Sequence, residues 1–355
     1  MSDIEFALNT MYLLFSGALV MWMAAGFTML EAGLVRSKNV SEIVTKNIGL
    51  YSIASVMYLV CGFYIMYPGD SAVSAYIPDF SLKYLGLTMG GQDKSYGSYA
   101  EASDFFFQVV FVATAMSIVS GAIEERMKLI PFFLFTIILT GFIYPVQGYW
   151  KWGGGFLDQA GYADFAGSGV VHLCGATAAL AGVLIVGPRM GKYTSDGKSK
   201  AIPGSNIPMA SLGGLILWLG WFGFNGGSAL GATSGAALAF VNTMLAPAAT
   251  LVAWMLLDTM NTGKITAVGA ATAIVVGLVA ITPAAGFVGP VSALALGAIA
   301  AIPSYYMISY RSRTRLDDSL DVFAAHGVGG ATGCLLYTSD AADDTPCVDL
   351  GGRRI

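Results

Sequence analysis

Residues 164–177 read DFAGSGVVHLCGAT. A single histidine, His172, stands among small and apolar residues eight positions after Asp164, and the whole chain holds only 2 histidines. The apolar run around it, residues 166–187, meets the length needed to cross a bilayer, roughly 20 mainly apolar residues. Ionisable side chains at such depth are costly and by default mark function. How this imidazole is used decides how the rest of the chain is read.

Composition places the run in a membrane protein. Of 355 residues, 55% are hydrophobic and 11% charged, against about 25% charged in average soluble domains. The 45 glycines suit helices that approach closely through small-residue faces. A net charge of −4 gives no reason to expect nucleic acid. Cys61, Cys174, Cys334 and Cys347 have neither metal-ligand nor disulfide spacing. The first residues, MSDIEF, carry two acids and no base, so the first apolar stretch reads as a retained helix and not a signal peptide.

Nine spans satisfy the length test: 10–33, 43–67, 103–123, 129–150, 166–187, 208–231, 235–258, 265–283 and 286–310, with a tenth beginning near 321. YPGD at 67–70, GPRMGK at 187–192 and NTGK at 261–264 supply the breaks. With the N-terminus outside, 13 Lys and Arg fall on inner segments and 3 (Lys83, Lys94 and Lys151) on outer ones. That asymmetry predicts an N-out orientation. From Cys334 the text turns polar and aperiodic (LLYTSDAADDTPCVDLGGRRI, 335–355). The chain is therefore expected to divide into a transmembrane domain over 1–333 and a non-native tail over 334–355.

The second histidine repeats the first. Asp164 precedes His172 at the fifth helix, and Asp321 precedes His326 in DVFAAHGVGG (321–330) at the tenth. Five helices, an odd number, separate them, so helices 1–5 and 6–10 read as inverted repeats whose interface holds the site. Each histidine has a bland reading, packing glue between helices, but two at matching places in two halves point to a shared site. No third histidine and no H-E-x-x-H pattern exists, so no metal is expected. An imidazole donates from one nitrogen and accepts at the other. Two of them edge to edge can share a proton and line a dry pore for a small polar solute.

Other residues fit around that pore. Asp164 is placed to cap exposed N–H groups at the start of the fifth helix. Phe107 and Phe111 lie four apart on one helix face, as do Phe224 and Ser228, and Trp152 sits at an outer helix end in WGGG (152–155). Singly these read as packing or as interfacial anchors. Together they suit a cation–π cup for a small ammonium-type cation. Gly197-Lys198-Ser199 lacks the upstream glycine of a phosphate loop, and Asn39-Val-Ser41 lies on the inner side, so neither motif adds a function.

GAIEER (121–126), WGGG, DFAGSGVVH (164–172), GWFGFNGGS (220–228), FVNT (240–243), TPAAGFVGP (282–290) and DVFAAHGVGG stand in one order along the chain. In that order they resemble the ammonium transporter (Amt/Mep/Rh) family. The resemblance implies an all-α polytopic membrane protein with an inverted 5+5 repeat and eleven transmembrane helices, about ten of them present in this chain. It implies pore histidines at His172 and His326, a phenylalanine gate at Phe111 and Phe224 with Phe107 beside it, and an outer ammonium site at Trp152, Ser228 and Phe111. Asp164 and Asp321 take structural or electrostatic roles.

Ammonium or methylammonium would be recruited from outside, deprotonated and passed as ammonia by a homotrimer in the plasma membrane, without cofactor or catalysis. A PII-type regulator is implied for the cytoplasmic tail, which together with the eleventh helix is missing from the pattern. An ammonium sensor using the same pore and a Rh-like gas channel are the alternatives. Trp152 and Ser228 favour the Amt branch over the latter.

Overall fold

The computed structural model describes residues 2–81 and 97–338. The described residues are helical, with a single isolated bridge between Tyr193 and Ser199. Ten segments run in sequence: α1 Asp3–Leu34, α2 Ser37–Met66, α3 Glu101–Ala122, α4 at 129–151, α5 Ser168–Val186, α6 Ile207–Gly227, α7 Ser234–Thr262, α8 Ala267–Ile281, α9 Pro290–Arg311 and α10 at 323–338. Eight helices of the described residues are long and apolar enough to cross a membrane, and α8 is a shorter apolar helix.

Local chemistry sets the boundaries. Ser2 and Glu5 form a capping box, which starts α1 seven residues before the first long apolar run. Asn206, Thr233 and Thr266 cap α6, α7 and α8 through side-chain oxygens, and Pro290 opens α9 where its missing N–H costs nothing. The span expected at 265–283 is helical only over 267–281, because Pro283 and the turns that follow stop it. Asn242 of α7 donates to the carbonyls of Ala285 and Val288 at 2.8 and 2.7 Å, which satisfies that irregular backbone inside the protein.

The two halves meet through their first helices. A Cβ at Gly213 of α6 would collide with the backbone of Leu30, so α1 and α6 touch main chain to main chain. α3 is the most enclosed span, packed between α1, α2 and α5, with nearly every residue from Phe107 to Ala122 buried. Leu8, Phe15 and Trp22 on α1 are exposed, as a lipid-facing or subunit-facing side requires.

α5 and α10 both open in a π-helical turn, Ser168–Leu173 and Phe323–Val328, and each turn carries a histidine. The segments expected on the inner side gather at one end. Glu125 takes Arg36, while Asp317 takes both Arg189 and Arg126. α10 continues through Thr338, past the junction expected at 333. Cys334 is buried against the Tyr162 hydroxyl at 3.1 Å, and Tyr337 stacks on Phe287 at 5.5 Å. The polar text from 339 to 355 lies outside the described residues.

Candidate functional site

The site is a column of rings between two cavities. Asp164 builds its first wall. One carboxylate oxygen accepts from the N–H groups of Gly167 and Ser168 at 3.0 and 2.8 Å, the other from Gly169 and Val170 at 2.8 and 3.0 Å. Four orphan donors of a buried helix start are thereby satisfied by one side chain. The main-chain carbonyl of Asp164 accepts from the indole Nε1 of Trp152 at 3.2 Å, which fixes that ring at the outer end. Gly167, at φ +103°, lies directly under the indole, where any Cβ would be both strained and in collision.

The cavity at the Trp152 end of the column, the end expected to face outward, has a volume of about 370 Å³ and is lined by Phe107, Phe111, Trp152 and Ser228. Trp152, Ser228 and Phe111, the three residues expected at an outer site, thus share one lining with Phe107. Ser228 Oγ donates to the Phe224 carbonyl at 2.8 Å, so its lone pairs stay available to a donor in the cavity. Two polar residues not foreseen from the motifs share the lining, Asp104 and Gln108. They follow the same helical face as Phe107 and Phe111, and that 3–4 spacing was the available signal.

Below the cup the path is closed by aromatic rings. Phe111 and Phe224 stack with centroids 4.0 Å apart, and Phe107 packs edge-on to Phe111 at 4.7 Å. Phe111 and Phe224, expected as a gate, are both buried. His172 follows immediately, its ring 5.4 Å from Phe224 and stacked 4.9 Å from Trp221. Trp221 was not foreseen either. It is held by a 2.9 Å hydrogen bond from Nε1 to Thr282 Oγ1 and serves as the floor on which the imidazole lies.

The Nδ1 atoms of His172 and His326 are 3.2 Å apart, with both side chains buried. At that distance one Nδ1 carries hydrogen and the other accepts it, so the pair shares a single Nδ1 proton. His172 Nε2 is buried and has no hydrogen-bond partner in the protein. His326 lines a second cavity at the opposite end of the column, the end expected to face inward, together with Phe27, Ser117, Val322 and Glu31.

The expected pairing of Asp164 with Asp321 is corrected by the geometry. Asp321, at φ +56°, holds the Arg311 guanidinium at 2.5 Å. The carboxylate that meets the start of α10 is Asp318, whose oxygen accepts the Phe323 N–H at 2.7 Å. Asp318 lies eight residues before His326, the spacing of Asp164 and His172. Each half therefore carries an aspartate, an eight-residue offset and a histidine in a π-turn.

Comparison with known proteins agrees. The profile of the Ammonium Transporter Family matches residues 11–350. An ammonium transporter of Aquifex aeolicus is 38% identical over 330 residues, covering 92% of this chain and 75% of the relative. The ammonium transporter Amt2 of Archaeoglobus fulgidus is 38% identical over 342 residues, 93% of this chain and 71% of that protein. Among solved structures, a sensor Amt protein superposes with TM-score 0.89 at 36% identity, covering 95% of this chain and 83% of its own. Mep2 of Candida albicans superposes with TM-score 0.85 at 30% identity, covering 93% and 72%. With the ordered motifs, the paired histidines and these likenesses in agreement, the chain belongs to the ammonium transporter family.

Proposed function

We propose that this chain transports ammonium across the plasma membrane as a homotrimer with one pore in each subunit, its N-terminus outside. The observation that carries the reading is the unbroken order of cup, stacked phenylalanines, shared-proton histidine pair and inner cavity. Ammonium enters the outer cavity, where the faces of Trp152 and Phe111 attract a cation and Ser228 accepts one of its N–H groups. Asp104 adds negative charge to the same lining.

The phenylalanine stack offers no oxygen to replace a hydration shell, so a charge moving through it bears a large desolvation cost. Ammonium therefore passes a proton to water in the outer cavity before the stack, forming hydronium there, and crosses as ammonia. A desolvated Na⁺ or K⁺ has no proton to give up and stays behind. Past the stack, the unpartnered His172 Nε2 hydrogen-bonds the ammonia, and the shared Nδ1 proton gives the imidazole pair a route for the proton that follows. An uncharged gas channel needs no aromatic cup at its mouth, so the cup favours the Amt-type reading over a Rh-like one. In the same reading a PII-type regulator acts from the cytoplasmic face, and the trimer accommodates part of the exposed apolar surface of the helices.

The test is ammonium-evoked current and methylammonium uptake in proteoliposomes holding the full chain. Saturable current with ammonium, and none with sodium or potassium, is the expected result. Equal currents for all three cations, or none for ammonium, contradict it.

A further inference from the structure

The inner cavity contains ionisable groups that the ring column does not use. Its volume is about 40 Å³, and a water-sized molecule needs about 10–15 Å³ by the same measure. It therefore has room for ammonia and a water or two beside His326. Glu31 reaches it from α1 and is 1% exposed. Glu31 Oε2 accepts from Asn47 Nδ2 at 2.8 Å and from Ser120 Oγ at 2.7 Å, while Oε1 has no donor.

Glu124, just past the end of α3, is wholly buried and has no donor on either oxygen. The two carboxyl groups are hydrogen-bonding neighbours. One cation answers both, Lys46 of α2, which donates to the Ser120 carbonyl at 3.3 Å and lies 5.1 Å from the Phe132 ring centre. Arg189 and Arg126 also face Glu124, but both are committed to Asp317.

With Arg126 and Arg189 engaged at Asp317, the two carboxyl groups share the one ammonium of Lys46, which leaves a second negative charge with no hydrogen-bond donor. A proton held between the carboxyls removes that charge, and supplies the donor that their oxygens lack. Burial, and then the neighbouring Glu31, push Glu124 well above the usual carboxylate range. Among the described residues the outer cavity is lined by a single carboxylate, Asp104, and not by a carboxyl pair.

We propose that Glu31, supported by Glu124 and Lys46, is the inner proton-exchange site of the transport path, where ammonia arriving past His326 is returned to ammonium. The carboxyl O–H bond breaks as the new N–H bond forms on ammonia, leaving a carboxylate and an ammonium ion side by side. The proton passed along His172 and His326 then restores the acid as the ammonium leaves. Glu31 touches the transported molecule. Glu124 acts through Glu31 as a positioning residue, and Lys46 sets how many protons the pair retains.

The inference rests on the transport reading, and the experiment separates the two. Full-length protein in proteoliposomes is compared with Glu31→Gln, Glu31→Asp and Glu124→Gln for ammonium-evoked current over a range of internal pH. Glu31→Gln is expected to lower maximal current at least tenfold with half-saturating ammonium within twofold, because the outer cup is untouched. Glu31→Asp restores most of it, and Glu124→Gln shifts the dependence on internal pH. A Glu31→Gln protein with wild-type current and an unchanged internal-pH profile overturns the proposal.

Infrared difference spectra of the wild type, with and without ammonium, give a readout that requires no variant to fold. A protonated-carboxyl band that changes on ammonium addition and shifts in heavy water is expected. Its absence also overturns the proposal. No ammonium current from the wild type would instead count against the transport reading itself.

Discussion

His172 and His326 face each other Nδ1 to Nδ1 at 3.2 Å, from π-turns five helices apart in sequence. The close approach requires both turns. A π-turn inserts one residue into the helical ladder and re-aims the side chains that follow it. Asp164 and Asp318, each eight residues upstream, hold the two turn starts by accepting backbone N–H groups. One histidine alone is a buried polar residue seeking a partner. Two of them with a shared proton have the geometry that the proposed proton route requires.

Trp152 is anchored through Nε1 to the Asp164 carbonyl and stands 6.0 Å edge-on to Phe111. Trp152→Leu removes the ring face and keeps the volume apolar. A cation–π contact is worth about 0.5–2 kcal/mol, so half-saturating methylammonium is expected to rise by roughly 2- to 30-fold. Concentration-dependent uptake checks this, and an unchanged half-saturation value removes the cation cup from the mechanism.

Asp164 accepts four backbone N–H groups from a position 3% exposed. Hydrogen bonds to a charged group contribute about 1.5–3 kcal/mol each, and a buried donor left alone costs about 1–3 kcal/mol. Asp164→Ala should therefore fail to assemble in the membrane. Asp164→Asn retains an acceptor oxygen and assembles with a lowered unfolding temperature. Detergent size-exclusion profiles and thermal unfolding distinguish the two. Normal assembly of the alanine variant contradicts the structural part of this role.

Asp317 and Asp318 are neighbours with opposite pH behaviour. Burial works to raise Asp317, but the Arg189 guanidinium and main-chain N–H outweigh it and hold the carboxyl below its ordinary value. A depressed carboxylate contributes stability that is present above its unfolded pKa and lost as pH falls through the folded value. Burial, followed by the nearby Asp321 charge, pushes Asp318 up to about 7. Its penalty therefore begins above the unfolded value near 4 and is complete above about 7. Asp318→Asn should match the wild type in unfolding temperature at low pH and exceed it above neutrality, because the amide oxygen still accepts the Phe323 N–H. Equal curves at all pH values contradict this assignment.

Much of the fold was legible because the membrane imposes one rule on the sequence. Every backbone polar group in lipid needs an internal partner, so apolar length alone marks helices. α1, α6 and α9 follow their apolar runs to within a few residues, apart from the capping-box extension of α1. α8 ends early at Pro283, and the irregular backbone beyond it is tolerated because Asn242 supplies, from another helix, the bonds it would otherwise lack. No local pattern announces that rescue.

At the site, the histidines and Trp152 stood out because each is an unusual residue in a small-residue or glycine-rich run, and the phenylalanines because of their four-residue spacing along helix faces. Asp318 was hidden by Asp321, since LDDSLD (316–321) offers three aspartates and only the turn geometry selects one. Trp221 was passed over because a tryptophan in an apolar helix ordinarily reads as packing. Its stacking on His172 depends on how α5 and α6 are set side by side.

The most direct measurement is the ratio of ammonium to potassium current in His172→Ala and His326→Ala proteoliposomes, beside the wild type. Loss of either imidazole opens a water-sized gap in the column and breaks the shared proton. Each variant should then admit potassium and lose at least tenfold in ammonium selectivity. Wild-type current, selectivity and proton coupling in both variants would contradict a pore built on the histidine pair.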